Sequence, residues 1–132
     1  MEMLDCDELE FTYAFMTYES GNYSELVREA EILNNPLRLY QETHHKGTLP
    51  PSYCGMSVNA DNVIVQTVKI AEDGSGYVLR AIETGGKQCT ATLDLKFIGR
   101  KVVLNFRPQE FKTVYIPIDG GEIKEILLTE LG

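Results

Sequence analysis

Residues 88–97 alternate without a break: Cys89, Ala91, Leu93, Leu95 and Phe97 are apolar, and Gln88, Thr90, Thr92, Asp94 and Lys96 between them are polar. A period of two sends each set to its own side of an extended chain, so this segment is a strand with one dry and one wet face. Wound as a helix, the same residues would scatter around the whole circumference. A dry face of that length needs a second apolar layer to cover it, which commits the chain to a packed sheet.

Further strands surround it. Residues 63–71 are rich in β-branched side chains and run into Asp73-Gly74-Ser75-Gly76, a turn sequence; residues 77–83 then resume an extended pattern up to Gly85-Gly86. Together with 88–97 these read as a three-stranded meander. Ile98-Gly99-Arg100 reverses the chain into 102–106, where Val102, Leu104 and Phe106 share a face. Residues 110–118 follow Pro108, and 123–129 supply a last strand.

Toward the N-terminus, Leu9, Phe11, Tyr13 and Phe15 alternate with Glu10, Thr12, Ala14 and Met16, which predicts a strand whose aromatic face needs a large partner surface. From Asn22 the period changes. Tyr23, Leu26, Val27, Ala30 and Leu33 fall on one helical face, with Glu25, Arg28, Glu29 and Glu31 turned away, and Asn22 with Glu25 has capping-box spacing. Pro36 ends the helix, 37–40 read as a short strand, and 41–53, with Gly47, Pro50 and Pro51, as an exposed loop. Many strands, one short helix near the N-terminus and no βαβ rhythm predict a mainly β chain, an antiparallel β-sandwich. Residues 1–132 read as a single domain, because neither flank of the 41–53 loop is large enough to stand alone.

Charge narrows the function classes. With 20 acidic against 12 basic side chains the net charge is −8, so nucleic acid and anionic membrane are repelled rather than bound. Cys6, Cys54 and Cys89 are odd in number and lack CxxC spacing, against both a disulfide framework and a cysteine zinc site. They suit a reducing compartment. The acidic start at Met1-Glu2-Met3-Leu4-Asp5 does not resemble a signal peptide, and a cytoplasmic location is expected. Asn22-Tyr23-Ser24 matches a glycosylation acceptor, a pattern so short that it carries little weight.

Residues with chemical potential all have plainer readings. Adjacent imidazoles at His44 and His45 point apart in an extended loop, so they do not share a metal. Asp5, Asp7, Glu8 and Glu10 lack the glycine and spacing of a calcium loop and read as a solvated acidic end. Tyr13, Tyr18, Tyr23, Tyr40, Tyr53, Tyr77 and Tyr115 offer material for stacking on sugars, yet a small β-core also draws on such rings for area. Cys89 lies on a dry strand face and packs. Asp73-Gly74-Ser75-Gly76 lacks the lysine and following helix of a phosphate loop and is a hairpin turn. No residue is read as catalytic, cofactor-binding or metal-ligating.

Several blocks, in order along the chain, resemble glycoside hydrolase family 38, the α-mannosidases. They are Glu10-Phe11-Thr12-Tyr13-Ala14-Phe15, Val27-Arg28-Glu29-Ala30, Leu33-Asn34-Asn35-Pro36-Leu37, Ser57-Val58 with Asn62-Val63-Ile64-Val65, Val68-Lys69-Ile70-Ala71-Glu72-Asp73-Gly74, Tyr77-Val78-Leu79-Arg80-Ala81, and Arg107-Pro108-Gln109-Glu110-Phe111-Lys112-Thr113. The resemblance is to the family's C-terminal β-sandwich region and implies a non-catalytic piece of a zinc-dependent retaining α-mannosidase. An aspartate nucleophile, a second carboxyl group and the zinc would all lie in an N-terminal catalytic part, so no cofactor is expected in this fragment itself. The implied partner is that catalytic part of the same polypeptide. An aromatic face stripped of its cover would also drive homo-oligomerisation. Weak glycan contact through tyrosine belongs to the alternative, a free-standing carbohydrate-binding module. A third reading, strand addition to a partner's sheet, is disfavoured by an edge carrying Pro117 and Lys112.

Overall fold

The computed structural model describes residues 10–21 and 23–127. Within them one helix, α1 (Tyr23–Asn34), precedes strands β1 (Met56–Val58), β2 (Val63–Ile70), β3 (Gly76–Glu83), β4 (Cys89–Leu95), β5 (Arg100–Phe106), β6 (Phe111–Pro117) and β7 (Lys124–Ile126). All pairings are antiparallel and form two sheets, ordered β1-β4-β5 and β2-β3-β6-β7. The expected mainly β sandwich with one short helix is what the chain forms.

The core lies between the sheets. Leu79 and Ala81 of β3 with Val114 and Ile116 of β6 face Ala91, Leu93 and Leu95 of β4 with Val102, Leu104 and Phe106 of β5. These are the inward sets that the period-two pattern predicts for 88–97 and 102–106. Cys89 pairs with Phe106 and packs at the margin of this cluster. Phe97 lies just past β4 and meets Tyr77 edge-on, ring centroids 5.5 Å apart.

Turn chemistry sets the hairpins. Asp73 accepts the Ser75 amide at 2.9 Å, which closes the β2–β3 turn as expected for Asp73-Gly74-Ser75-Gly76. The Tyr115 ring lies over Gly76, where an added Cβ would sit 2.5 Å from the ring and 2.6 Å from the Ile116 carbonyl oxygen; no side chain fits there. Gly99, at φ 66°, makes the β4–β5 reversal.

Five sequence expectations are corrected. Segment 88–97 does not extend a meander: β2 and β3 form a hairpin, and β4 crosses to the opposite sheet, where its dry face opposes that of β3 instead of lying beside it. The aromatic segment 10–16 forms no strand, because no neighbouring chain offers it a hydrogen-bonding ladder; Leu9 lies outside the described residues. Residues 37–40 are likewise unpaired. Pro117 and Lys112 do not lie on an outermost strand: β7 pairs with β6 over Thr113–Tyr115, between these two residues, and Lys112 Nζ donates to Glu125 Oε2 at 2.6 Å. The last strand is shorter than 123–129, and Thr129 lies outside the described residues. Asn22, and with it the capping box and the acceptor pattern, is also outside them.

Candidate functional site

Two places concentrate unusual side-chain chemistry, one at a pole of the sandwich and one on the N-terminal arm. At the pole, Glu83 ends β3 on the face shared by Tyr77, Leu79 and Ala81, opposite Val63 of β2. It is fully buried. Its Oε1 accepts hydrogen bonds from Asn62 Nδ2 and from the Gly85 amide, both at 2.7 Å. Its Oε2 accepts the amides of Gln109 at 2.8 Å and Lys87 at 3.2 Å. Gln109 takes a left-handed φ of 57°, an arrangement a non-glycine side chain adopts only when its surroundings hold it there.

One carboxylate therefore ties together the turns before β2, after β3 and before β6. Burial pushes this carboxyl up, but the Gln109 amide, the Asn62 side chain and the Gly85 and Lys87 amides outweigh it and hold it below the usual glutamate range. Four protein donors on its two oxygens make the group an anchor for these turns. Next to it, Arg107 grips Glu110 through Nη2 and Nε, at 2.7 and 3.0 Å. The Arg107 amide, followed by its guanidinium, draws the Glu110 carboxyl down.

The arm is built differently. From residue 10 to residue 53 no described residue is buried, although Phe11, Tyr13, Phe15, Leu37, Leu39 and Leu49 are all at least 70% exposed. Phe11 and Tyr13 stack at 6.2 Å and Tyr13 meets Phe15 edge-on at 5.6 Å, so the rings lean on one another and present no flat platform. A shallow apolar groove runs between this arm and α1, lined by Phe15, Met16, Leu26, Ile32 and Leu33. Glu25 and Glu29 of α1 also line it, from the helix side.

The remaining candidates stay apart. His44 and His45 are exposed, and His45 Nε2 lies 4.0 Å from Glu42. Glu10 is exposed, while Asp5, Asp7 and Glu8 lie outside the described residues. Tyr40 and Tyr53 are exposed, Tyr18 and Tyr23 are exposed with their rings tilted together at 6.2 Å, Tyr77 packs on the core and Tyr115 bonds Ser75 Oγ through its hydroxyl at 2.7 Å. Among the described residues no group of three or more His, Cys, Asp or Glu side chains is placed to hold a metal ion, so they do not fit a zinc centre. No helix of the described residues is long and apolar enough to cross a membrane.

Sequence reading missed the Glu83 hub, although a signal existed. Glu83 continues the inward parity of Leu79 and Ala81, and a charged residue at an inward position requires a compensating cage.

Residues 62–123 match the family model of the glycosyl hydrolases family 38 C-terminal beta sandwich domain. This is the family, and the region of it, that the ordered blocks resemble. The match begins at the Glu83 ligand Asn62 and runs through β6, and it leaves out the exposed arm. No curated protein and no solved structure matches the chain.

Proposed function

We propose that this chain, with a family 38 C-terminal sandwich over residues 62–123 as its centre, is a non-catalytic supporting domain of a zinc-dependent retaining α-mannosidase. The family match carries the reading. In it, the chemistry belongs to a catalytic part of the same polypeptide, with a nucleophilic carboxylate, an acid/base carboxyl group and zinc, and the sandwich braces that part. The exposed arm supports the reading from the other side. Large apolar side chains without a cover at residues 11–49 are what remains when a neighbouring body is removed. The proposed compartment is the cytoplasm, where the thiols of Cys54 and Cys89 stay reduced.

The test is the size of the native product, read with an antibody against these residues on a lysate of the source cells. A band several-fold larger than 14.9 kDa is expected. A band at that mass would sink the reading and favour a free-standing carbohydrate-binding module.

The isolated 132-residue chain is also expected to self-associate through the arm. Sedimentation velocity should show a dimer or larger species that returns to monomer when Phe11, Tyr13 and Phe15 are replaced together by serine. A wild-type chain that stays monomeric at every concentration would remove the arm as an interface.

A further inference from the structure

The Glu83 carboxylate and the resting place of α1 share the same atoms. Asn62 bonds Glu83 through its side chain and accepts the Thr84 amide on its carbonyl at 2.8 Å. Thr84 and Asp61, the immediate neighbours of Glu83 and Asn62, are the residues that reach the helix. The Thr84 hydroxyl stands between the Asn62 carbonyl at 3.2 Å and Ser24 Oγ at 3.4 Å, and Arg28 Nη2 donates to the Asp61 carbonyl at 3.3 Å. Gly85 closes the gap: a Cβ there would stand 3.0 Å from Asn62 Cβ, 3.1 Å from Glu83 Oε1 and 3.2 Å from Ser24 Oγ. The bonds inside the hub are short and those to the helix are long, so the helix is the part that is easily released.

Burial contributes little to holding α1. It contains no buried residue; Leu26 and Val27, the centre of its predicted apolar face, are only half-buried, and Ile32 and Leu33 are exposed. A helix of 12 residues is marginal in water when it loses its seat, so release and melting coincide. The sheets do not share this weakness, because their core side chains are buried between them.

We propose that Glu83 sets the seat of α1, making the helix a strap that lets go of the sandwich when the carboxylate is lost while the two sheets remain folded. The strap joins the exposed arm to the sandwich, so a body seated on the arm is connected to the turn pole through α1.

Hydrogen exchange on the full chain at neutral pH tests this, with Glu83→Gln and Gly85→Ala beside the wild type. In wild type the α1 amides should be protected. In Glu83→Gln they should exchange at least about tenfold faster, reaching the rate of unstructured peptide, while β4 and β5 amides lose no more protection than the fall in urea-measured stability and stay far slower than that rate. Gly85→Ala keeps the Glu83 charge but crowds Asn62, Glu83 Oε1 and Ser24 together, at 3.0, 3.1 and 3.2 Å, so it should loosen α1 while β4 and β5 remain protected. If Glu83→Gln does not fold, Gly85→Ala decides alone. Three results overturn the proposal: α1 unprotected already in wild type, α1 unmoved by the substitutions, or α1 and the sheets losing protection by one common factor.

Discussion

Phe106→Ala should cost the sandwich about 3–5 kcal/mol, while Val103→Ala on the same strand should change its stability by no more than about 0.5 kcal/mol. Phe106 is 1% exposed and sits at the end of β5 opposite Cys89, next along the core face to Leu104 and its partner Ala91, so truncation leaves a cavity that rigid neighbours fill poorly. Val103 is 62% exposed on the opposite face, and its methyl groups are in water before and after folding. Domains of this size hold about 5–15 kcal/mol in total, so the phenylalanine carries a large share. Urea unfolding reads the difference: the midpoint of Phe106→Ala should fall sharply with its slope retained, and that of Val103→Ala should barely move. A small cost at Phe106 with a large one at Val103 would mean that β5 is displaced by one residue and that its faces are exchanged.

The faces of β4 and β5 were legible because a period of two is local: each residue's side is fixed by its neighbours, whatever the strand pairs with. Which sheet a strand joins is not local. The path from Glu83 through Gly85 and Gly86 suits either a hairpin or a crossing, and the crossing prevails because it sets the dry face of β4 against that of β3. Strand β2 shows a second limit. Strict alternation would put Val63 and Val65 on one face and Val68 and Ile70 on the other, but an irregularity between Val65 and Thr67 brings all four to one side. Met56–Val58 is too short for any pattern to register, and it forms because β4 offers an edge.

The arm marks a different boundary. Its alternation of aromatic residues is as regular as that of β4, and a strand expectation followed from it, but a strand exists only when another chain pairs with it. Within the described residues none does. The family match covers residues 62–123 and does not reach this arm.

Acid should act on this domain through Glu83. Its folded carboxyl titrates below the unfolded one, which lies at about 4.3. A depressed folded value means that the anchor's stabilisation is complete above the unfolded value and is lost as pH falls through the folded one. Glu83→Gln removes that charge and sets an amide NH2 against the Gln109 and Lys87 amides, where donor faces donor. At neutral pH this should cost on the order of 3 kcal/mol, the penalty of buried donors left without an acceptor. As pH falls below about 4 the wild type should weaken toward the variant, because its own carboxyl takes up a proton and half of the cage loses its acceptor. Asp73 and Glu110 are held down as well, by Ser75 and by Arg107, but both are present in wild type and variant, so the difference between the two proteins isolates Glu83. Urea midpoints measured from neutral pH down to about 3 should therefore converge. A gap that stays constant over that range would show that shape, and not charge, is what Glu83 gives to the pole.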